Sequence, residues 1–121
     1  MYKYIVNDIP PSNNKFMGNN HSFHIYGSLK EKWFRYICKA LDNSIKPKEA
    51  IEKSEVIITY YFKDKRRRDP DNYSGKFLLD PLVKLRVIKD DSFNNIKLTL
   101  KAYTDKDNPR TEIEVVPINE I

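Results

Sequence analysis

The order of patterned segments predicts a small α+β domain in which a mixed β-sheet is packed by about two helices. Three observations carry that expectation. The run Glu55 to Phe62, EVIITYYF, is rich in β-branched and aromatic residues and apolar on both faces, as a central strand requires. Leu29, Trp33, Ile37 and Leu41 recur at helical spacing. Near the C-terminus apolar and charged residues alternate, the pattern of strands with one wet face. At 121 residues and 14.4 kDa the chain has the length of a single domain, residues 1–121, around one core.

Taken in order, the opening YKYIV reads as a short strand, and DIPPSNNKF after it as a loop, since two prolines cannot both supply ladder donors. SFHIY, residues 22–26, reads as a further short strand. Ser28 with Glu31 three residues on forms a capping-box pattern, which predicts a helix over 29–42. The central strand delivers the chain into KDKRRRDPDN. From Tyr73 to about Lys84, Phe77, Leu78, Leu82 and Leu85 give a second helical stripe, which Pro81 should end or kink unless it falls in a first turn. Ile96, Leu98 and Leu100, then Ile113 and Val115, alternate with polar residues as a terminal pair of strands joined by the turn TDKDNPR.

The composition excludes several classes. Charged residues at 32% and hydrophobic ones at 40% belong to a globular chain rather than a disordered or membrane one. Apolar stretches run only a few residues and the N-terminus lacks a leader pattern, so the expectation is a cytoplasmic protein without a membrane role. Cys38 is the single cysteine, which forbids an intrachain disulfide and suits a reducing compartment; it reads as a small core residue. Lys and Arg number 22 against 17 Asp and Glu, a net charge of +5 that favours a polyanionic partner such as nucleic acid. His21 and His24 are spaced i, i+3 but have no Cys or Glu near them in sequence, so they read weakly as a metal pair.

The informative segment is RRRDPDNYSGKFLLDPLVKLRVIKDDS, residues 66–92, where Asp69, Asp71, Asp80, Asp90 and Asp91 concentrate within an otherwise basic chain. If Asp69 and Asp71 occupy an extended strand end, a period of two places both carboxylates on one face, and Pro70 holds them extended. Mg²⁺ takes hard oxygen ligands from a few carboxylates together with water and phosphate, and one member of the Asp90–Asp91 pair would complete such a shell. Carboxylates facing a phosphodiester are unfavourable unless a cation reverses the local charge, and Lys65, Arg66, Arg67 and Arg68 stand immediately before them. Each piece also has a plain reading: DPD and DDS are turn sequences, and a KRRR run is a solvated face. With Asn72 and Lys76 between the acidic groups, the set suits metal-assisted phosphodiester hydrolysis.

RRRDPDN, a following lysine, LLDPL and IKDDS, in that order and preceded by PPSNNKF, resemble the signature of RusA-type Holliday-junction resolvases over roughly residues 9–96. The resemblance implies a RusA-like fold and a Mg²⁺-dependent homodimer, with Mn²⁺ able to replace Mg²⁺, that binds four-way DNA junctions and makes paired, symmetric nicks. Many members are encoded by phages or prophages, which implies a bacterial or phage-infected cytoplasm. Carried over by position, the catalytic and metal-binding carboxylates fall on Asp69, Asp71 and Asp91 and the functional lysine on Lys76. Asp90 stands beside them as a further ligand or a second acceptor, and Lys65, Arg66, Arg67, Arg68 and Asn72 form the DNA-contacting set. The interval from Asp71 to Lys76 is one residue longer than in the family pattern, with Gly75 as the insertion. Phe16 and the asparagines of the PPSNNK loop either touch an opened junction or pin the loop to the core.

Two rival functions use the same residues. A metal-dependent nuclease without junction preference would share the carboxylates, and a non-catalytic DNA-binding module would keep the basic surface while its aspartates serve as turn residues. A panel of DNA substrates separates them.

Overall fold

The structure, a computed structural model, describes residues 1–13 and 22–118, with side chains from Tyr26 onward in the second span. The described residues form four strands and two α-helices: β1 (Tyr2–Val6), α1 (Ser22–Asp42), β2 (Ser54–Phe62), α2 (Lys76–Lys84), β3 (Ile96–Thr104) and β4 (Arg110–Pro117). The sheet is mixed, in the order β1-β4-β2-β3, with β2 antiparallel to β4 and parallel to β3. The α+β expectation therefore holds, and EVIITYYF is an interior strand. Its even positions from Ser54 to Phe62 turn into the core and are all buried.

Both helices lie on one side of the sheet. Trp33, Ile37 and Leu41 of α1 meet Phe77, Leu78 and Leu82 of α2 over Ile58 and Ile113, a single cluster of buried apolar side chains. Cys38 is a half-buried free thiol. The other face of the sheet carries no helix among the described residues. It is covered by its own side chains, chiefly Glu112, which accepts from Lys3 at 3.1 Å and from Arg110 at 2.7 Å. Burial works against ionisation of Glu112, but these two donors outweigh it and hold the carboxyl below its ordinary value.

Three local expectations are corrected. SFHIY is the start of α1 rather than a strand, because Tyr26 prolongs the stripe that Leu29, Trp33 and Ile37 continue; it reaches Phe77 at 5.5 Å between ring centroids. Ser28 is consequently inside the helix and caps nothing. Pro81 sits in the interior of α2 without ending it, and the helix runs on to Lys84. The stop comes at Arg86, in the left-handed region at φ 63, where its N–H bonds the Val83 carbonyl and that of Val87 the Leu82 carbonyl. The terminal strands are not neighbours: β2 lies between them, and the segment after Thr104 steps over the end of β2, with the Asp105 N–H on the Phe62 carbonyl at 2.8 Å.

Candidate active site

The basic-acidic segment leaves the C-terminal end of β2 and is shaped by Arg68. Its guanidinium lies 4.1 Å over the Phe62 ring, donates to the Asp64 carboxylate at 2.9 Å, and donates to the carbonyls of Asp64 and Arg66 at 3.1 and 3.0 Å. The Arg66 N–H and the Arg68 guanidinium together hold the Asp64 carboxyl below the usual range. Arg68 is thus turned inward, with 16% of its side chain exposed, whereas Arg66 and Arg67 stand out at 77% and 89%. Lys65 is exposed as well. Of the four cations expected to meet DNA, three face solvent and one organises the turn that presents them.

Asp69 is extended, with φ −103 and ψ 140, and begins a 3₁₀ turn over Pro70–Asn72. The pair is therefore not carried by a strand end. Pro70 fixes φ for a turn here, the N–H groups of Asn72 and Tyr73 reach back to the carbonyls of Asp69 and Pro70 at 3.0 Å, and Asp71 is raised on the turn instead of alternating along a strand. Both aspartates remain at the surface. Asp69 meets only Arg67, at 3.3 Å, among the ion pairs of the described residues, and the Asp71 side chain is exposed.

The turn has a rigid floor. Tyr73 packs edge-on against Phe62 at 5.1 Å and against Tyr60 at 5.7 Å. The buried Tyr60 hydroxyl donates to the Tyr73 carbonyl at 2.9 Å, and burial pushes its pKa up, so it stays a donor. From the other side Asn13 donates to the Asp71 carbonyl at 3.0 Å and to the Ser74 hydroxyl at 3.3 Å. Asn13 of the loop after β1 thus pins the acidic turn, a contact across 58 residues that no local pattern announces. Asn14, Phe16 and His21 lie outside the described residues, as does the side chain of His24.

Gly75 is the cap from which α2 starts. It is left-handed at φ 83, and a Cβ there would meet Ile58 Cδ1 at 2.6 Å. Ile58 is fully buried, so its methyl would have to shift within a packed core. Gly75→Ala is expected to cost about 1–3 kcal/mol, combining left-handed strain with the clash, visible as a lowered midpoint in chemical denaturation; an unchanged midpoint would mean the cap rearranges freely. Lys76 follows as the first residue of α2, with Nζ 5.0 Å above the Tyr26 ring, beside the acidic turn.

The remaining acidic residues are elsewhere. Asp80 is engaged on the outer face of α2 by Lys84 at 3.2 Å and Lys30 at 3.8 Å. Asp90 and Asp91 precede β3 at the opposite end of the sheet. There the Asp91 N–H bonds the Asp90 carboxylate at 2.9 Å, and Asn95 ties this turn to the Glu52 and Ser54 backbone. At about 3.3 Å per residue, the path along β2 from Ser54 to Tyr60 alone is roughly 20 Å. Within one chain Asp69, Asp71 and Asn72 share a turn after β2, and Asp90 and Asp91 lie on a separate turn before β3. Accordingly, no group of three or more His, Cys, Asp or Glu among the described residues is placed to share an ion.

Beside Asp69 a groove of about 160 Å³ opens on the helix side of the sheet, lined by Tyr60, Phe62, Pro70, Tyr73, Leu100 and Ala102. No helix among the described residues is long and apolar enough to cross a membrane. A comparison with curated proteins finds no match. Among protein families, the model of endodeoxyribonuclease RusA matches residues 8–116, from the loop after β1 to the end of β4.

Proposed function

The chain belongs to the endodeoxyribonuclease RusA family, enzymes that resolve Holliday junctions, and on that premise we propose a divalent-metal-dependent homodimer that cuts four-way DNA by paired, symmetric phosphodiester hydrolysis. The observation that carries the finer reading is the division of the acidic residues. Asp69 and Asp71 stand exposed on one turn beside solvent-facing cations, while Asp91 lies roughly a strand length away, about 20 Å by the rise of β2. A two-fold partner is the simplest source of a third carboxylate, and a four-way junction has matching approximate symmetry.

The donor set suits Mg²⁺, or Mn²⁺ in its place, because such ions are held by one or two carboxylates and complete their shells with water and substrate phosphate. Asp69 and Asp71 of one subunit would hold the ion, with the partner subunit's Asp91 completing the protein share and Asp90 bracing the backbone before it. Bound there, the ion supplies Lewis acidity at the scissile phosphate. Lys76 faces the phosphate from the start of α2 and offsets negative charge growing on its oxygens. Asn13, Tyr60 and Arg68 hold the turn still, so that the carboxylates need not reorganise when DNA arrives.

Arg66, Arg67 and Lys65 grip the backbone. The double variant Arg66→Ala, Arg67→Ala is expected to flatten the dependence of log affinity on log salt by about 0.9 per lost phosphate contact. An unchanged slope would remove these arginines from the interface.

The function is tested with a labelled immobile-core four-way junction and a linear duplex of the same sequence, each with and without Mg²⁺. Paired nicks at symmetric positions, confined to the junction and requiring the ion, are the expected result. Equal cutting of the duplex would reduce the protein to a nuclease without junction preference, and binding without cutting would reduce it to a DNA-binding module.

A further inference from the structure

Arg110, Tyr61 and Tyr103 form one row across β4, β2 and β3, with Tyr61 the register partner of Arg110 on one side and of Tyr103 on the other. The row belongs to the helix-free face, since the neighbouring Tyr60, Phe62 and Thr111 turn into the core. Its planar groups lie on one another. The Arg110 guanidinium stands 3.8 Å from the centre of the Tyr61 ring, and the Tyr61 and Tyr103 rings stack at 5.7 Å and 27°. The inner end is fixed, because Arg110 donates to Glu112 at 2.7 Å, to Asp105 at 2.8 Å and to the Asn108 carbonyl at 2.9 Å. The outer end is open: β3 is the edge of the sheet among the described residues, and Tyr103 is 55% exposed.

We infer that this row is a stacking platform, and that Tyr103 takes an unpaired base of DNA while Lys63 and Lys101 hold the phosphates beside it. Adjacent aromatic side chains steady a sheet by themselves, but that purpose leaves the third layer unexplained: a guanidinium locked by two carboxylates behind a ring that in turn backs an exposed one. A rigid, solvent-facing aromatic plane suits a nucleobase, every one of which has a flat face to offer. The charges agree. Lys63 and Lys101 are exposed, each two residues along the chain from a ring of the stack. The nearby carboxylates are already engaged, Asp105 by Arg110 and Glu112 by Arg110 and Lys3. Glu55, which accepts from Thr99 at 2.7 Å, lies at the other end of β2.

The platform also stands in a useful place. Phe62 and Ala102, next in the chain to Tyr61 and Tyr103, line the groove beside Asp69 on the opposite face. Platform and acidic turn are therefore back to back at one end of the sheet, and a strand that rounds the edge of β3 meets the one with a base and the other with its backbone. The inference goes beyond the cutting reading, because the stack binds an unpaired base whether or not the acidic turn hydrolyses DNA.

The test uses the full chain and a single-stranded oligonucleotide carrying one 2-aminopurine, in buffer free of divalent ions, so that binding is read apart from cutting. The native chain should quench the 2-aminopurine as it stacks. Tyr103→Leu keeps an apolar cover on Tyr61 and removes the flat face; it should abolish the quenching and weaken binding about tenfold, whereas Tyr103→Phe should retain both. Lys101→Ala should lower the slope of log affinity against log salt by about 0.7, the share of one phosphate on a single strand. Melting temperatures of the variants control for folding. Absence of quenching by the native chain, or quenching and affinity unchanged in Tyr103→Leu, overturns the platform and makes the row a brace of the sheet. Loss of dimers in sedimentation of Tyr103→Leu also overturns it, by making the ring a contact between subunits. None of these results bears on cutting at the acidic turn, which the junction assay tests by itself.

Discussion

Asp71→Asn is expected to abolish junction cleavage while leaving folding and junction binding in place. The Asp71 side chain is exposed, and the hydrogen bond that ties this residue to the rest of the molecule runs through its backbone carbonyl to Asn13. An amide of the same shape therefore disturbs no packing, and the melting temperature should not move. The carboxylate's worth lies in its charge: with Asp69 it offers hard anionic oxygens to a divalent ion, and an amide oxygen is a poor substitute. A loss of about 10³-fold in single-turnover rate, roughly 4 kcal/mol of barrier, is the expected size. Without the ion, removing a negative charge beside the phosphates should hold binding constant or tighten it. Full activity in the variant would take Asp71 out of the site, and joint loss of binding and melting temperature would make it a structural residue.

The same turn shows what could be read from the chain and what could not. EVIITYYF announced an interior strand because an apolar run on both faces admits few other environments, and Trp33 announced a core position because its spacing matched Ile37 and Leu41. The candidate residues were legible as chemistry: carboxylates amid arginines suggest a cation whatever the fold. Their placement was not. Asp69 and Asp71 suit a strand by alternation, and Pro70 decided for a 3₁₀ turn by fixing φ locally. SFHIY has strand composition, but Tyr26 is claimed by α1 because its ring has Phe77 to pack against, a partner 51 positions away that tertiary structure alone supplies. Arg68 is indistinguishable in sequence from Arg66 and Arg67, and only the Phe62 ring and the Asp64 carboxylate mark it as the one that folds inward. Adjacency along the chain also suggested that Asp91 and Asp71 share one site within a molecule. The parallel pairing of β2 with β3 sends the segments after β2 and before β3 to opposite ends of the sheet.

That separation has a kinetic signature. Asp71→Asn and Asp91→Asn should each be inactive as homodimers, and a mixture of the two, exchanged before assay, should recover activity. In a mixed dimer one site joins both substituted residues, while the other joins the intact Asp69–Asp71 turn of one subunit to the intact Asp91 of the other. With equal amounts and random pairing, half of the dimers are mixed and each carries one complete site, so about one quarter of the wild-type sites return. Those dimers should nick one strand of the junction instead of two, because the second site of each is doubly disabled. If all carboxylates acted within one chain, every site in every mixed dimer would carry one substitution, and mixing would restore nothing. The outcomes therefore differ between about a quarter of wild-type nicking and background, with each parent protein as its own control for folding and junction binding. Recovery of single nicks would place the catalytic centre across the two-fold axis, and no recovery from demonstrably exchanged subunits would return Asp91 to a role at its own end of the sheet.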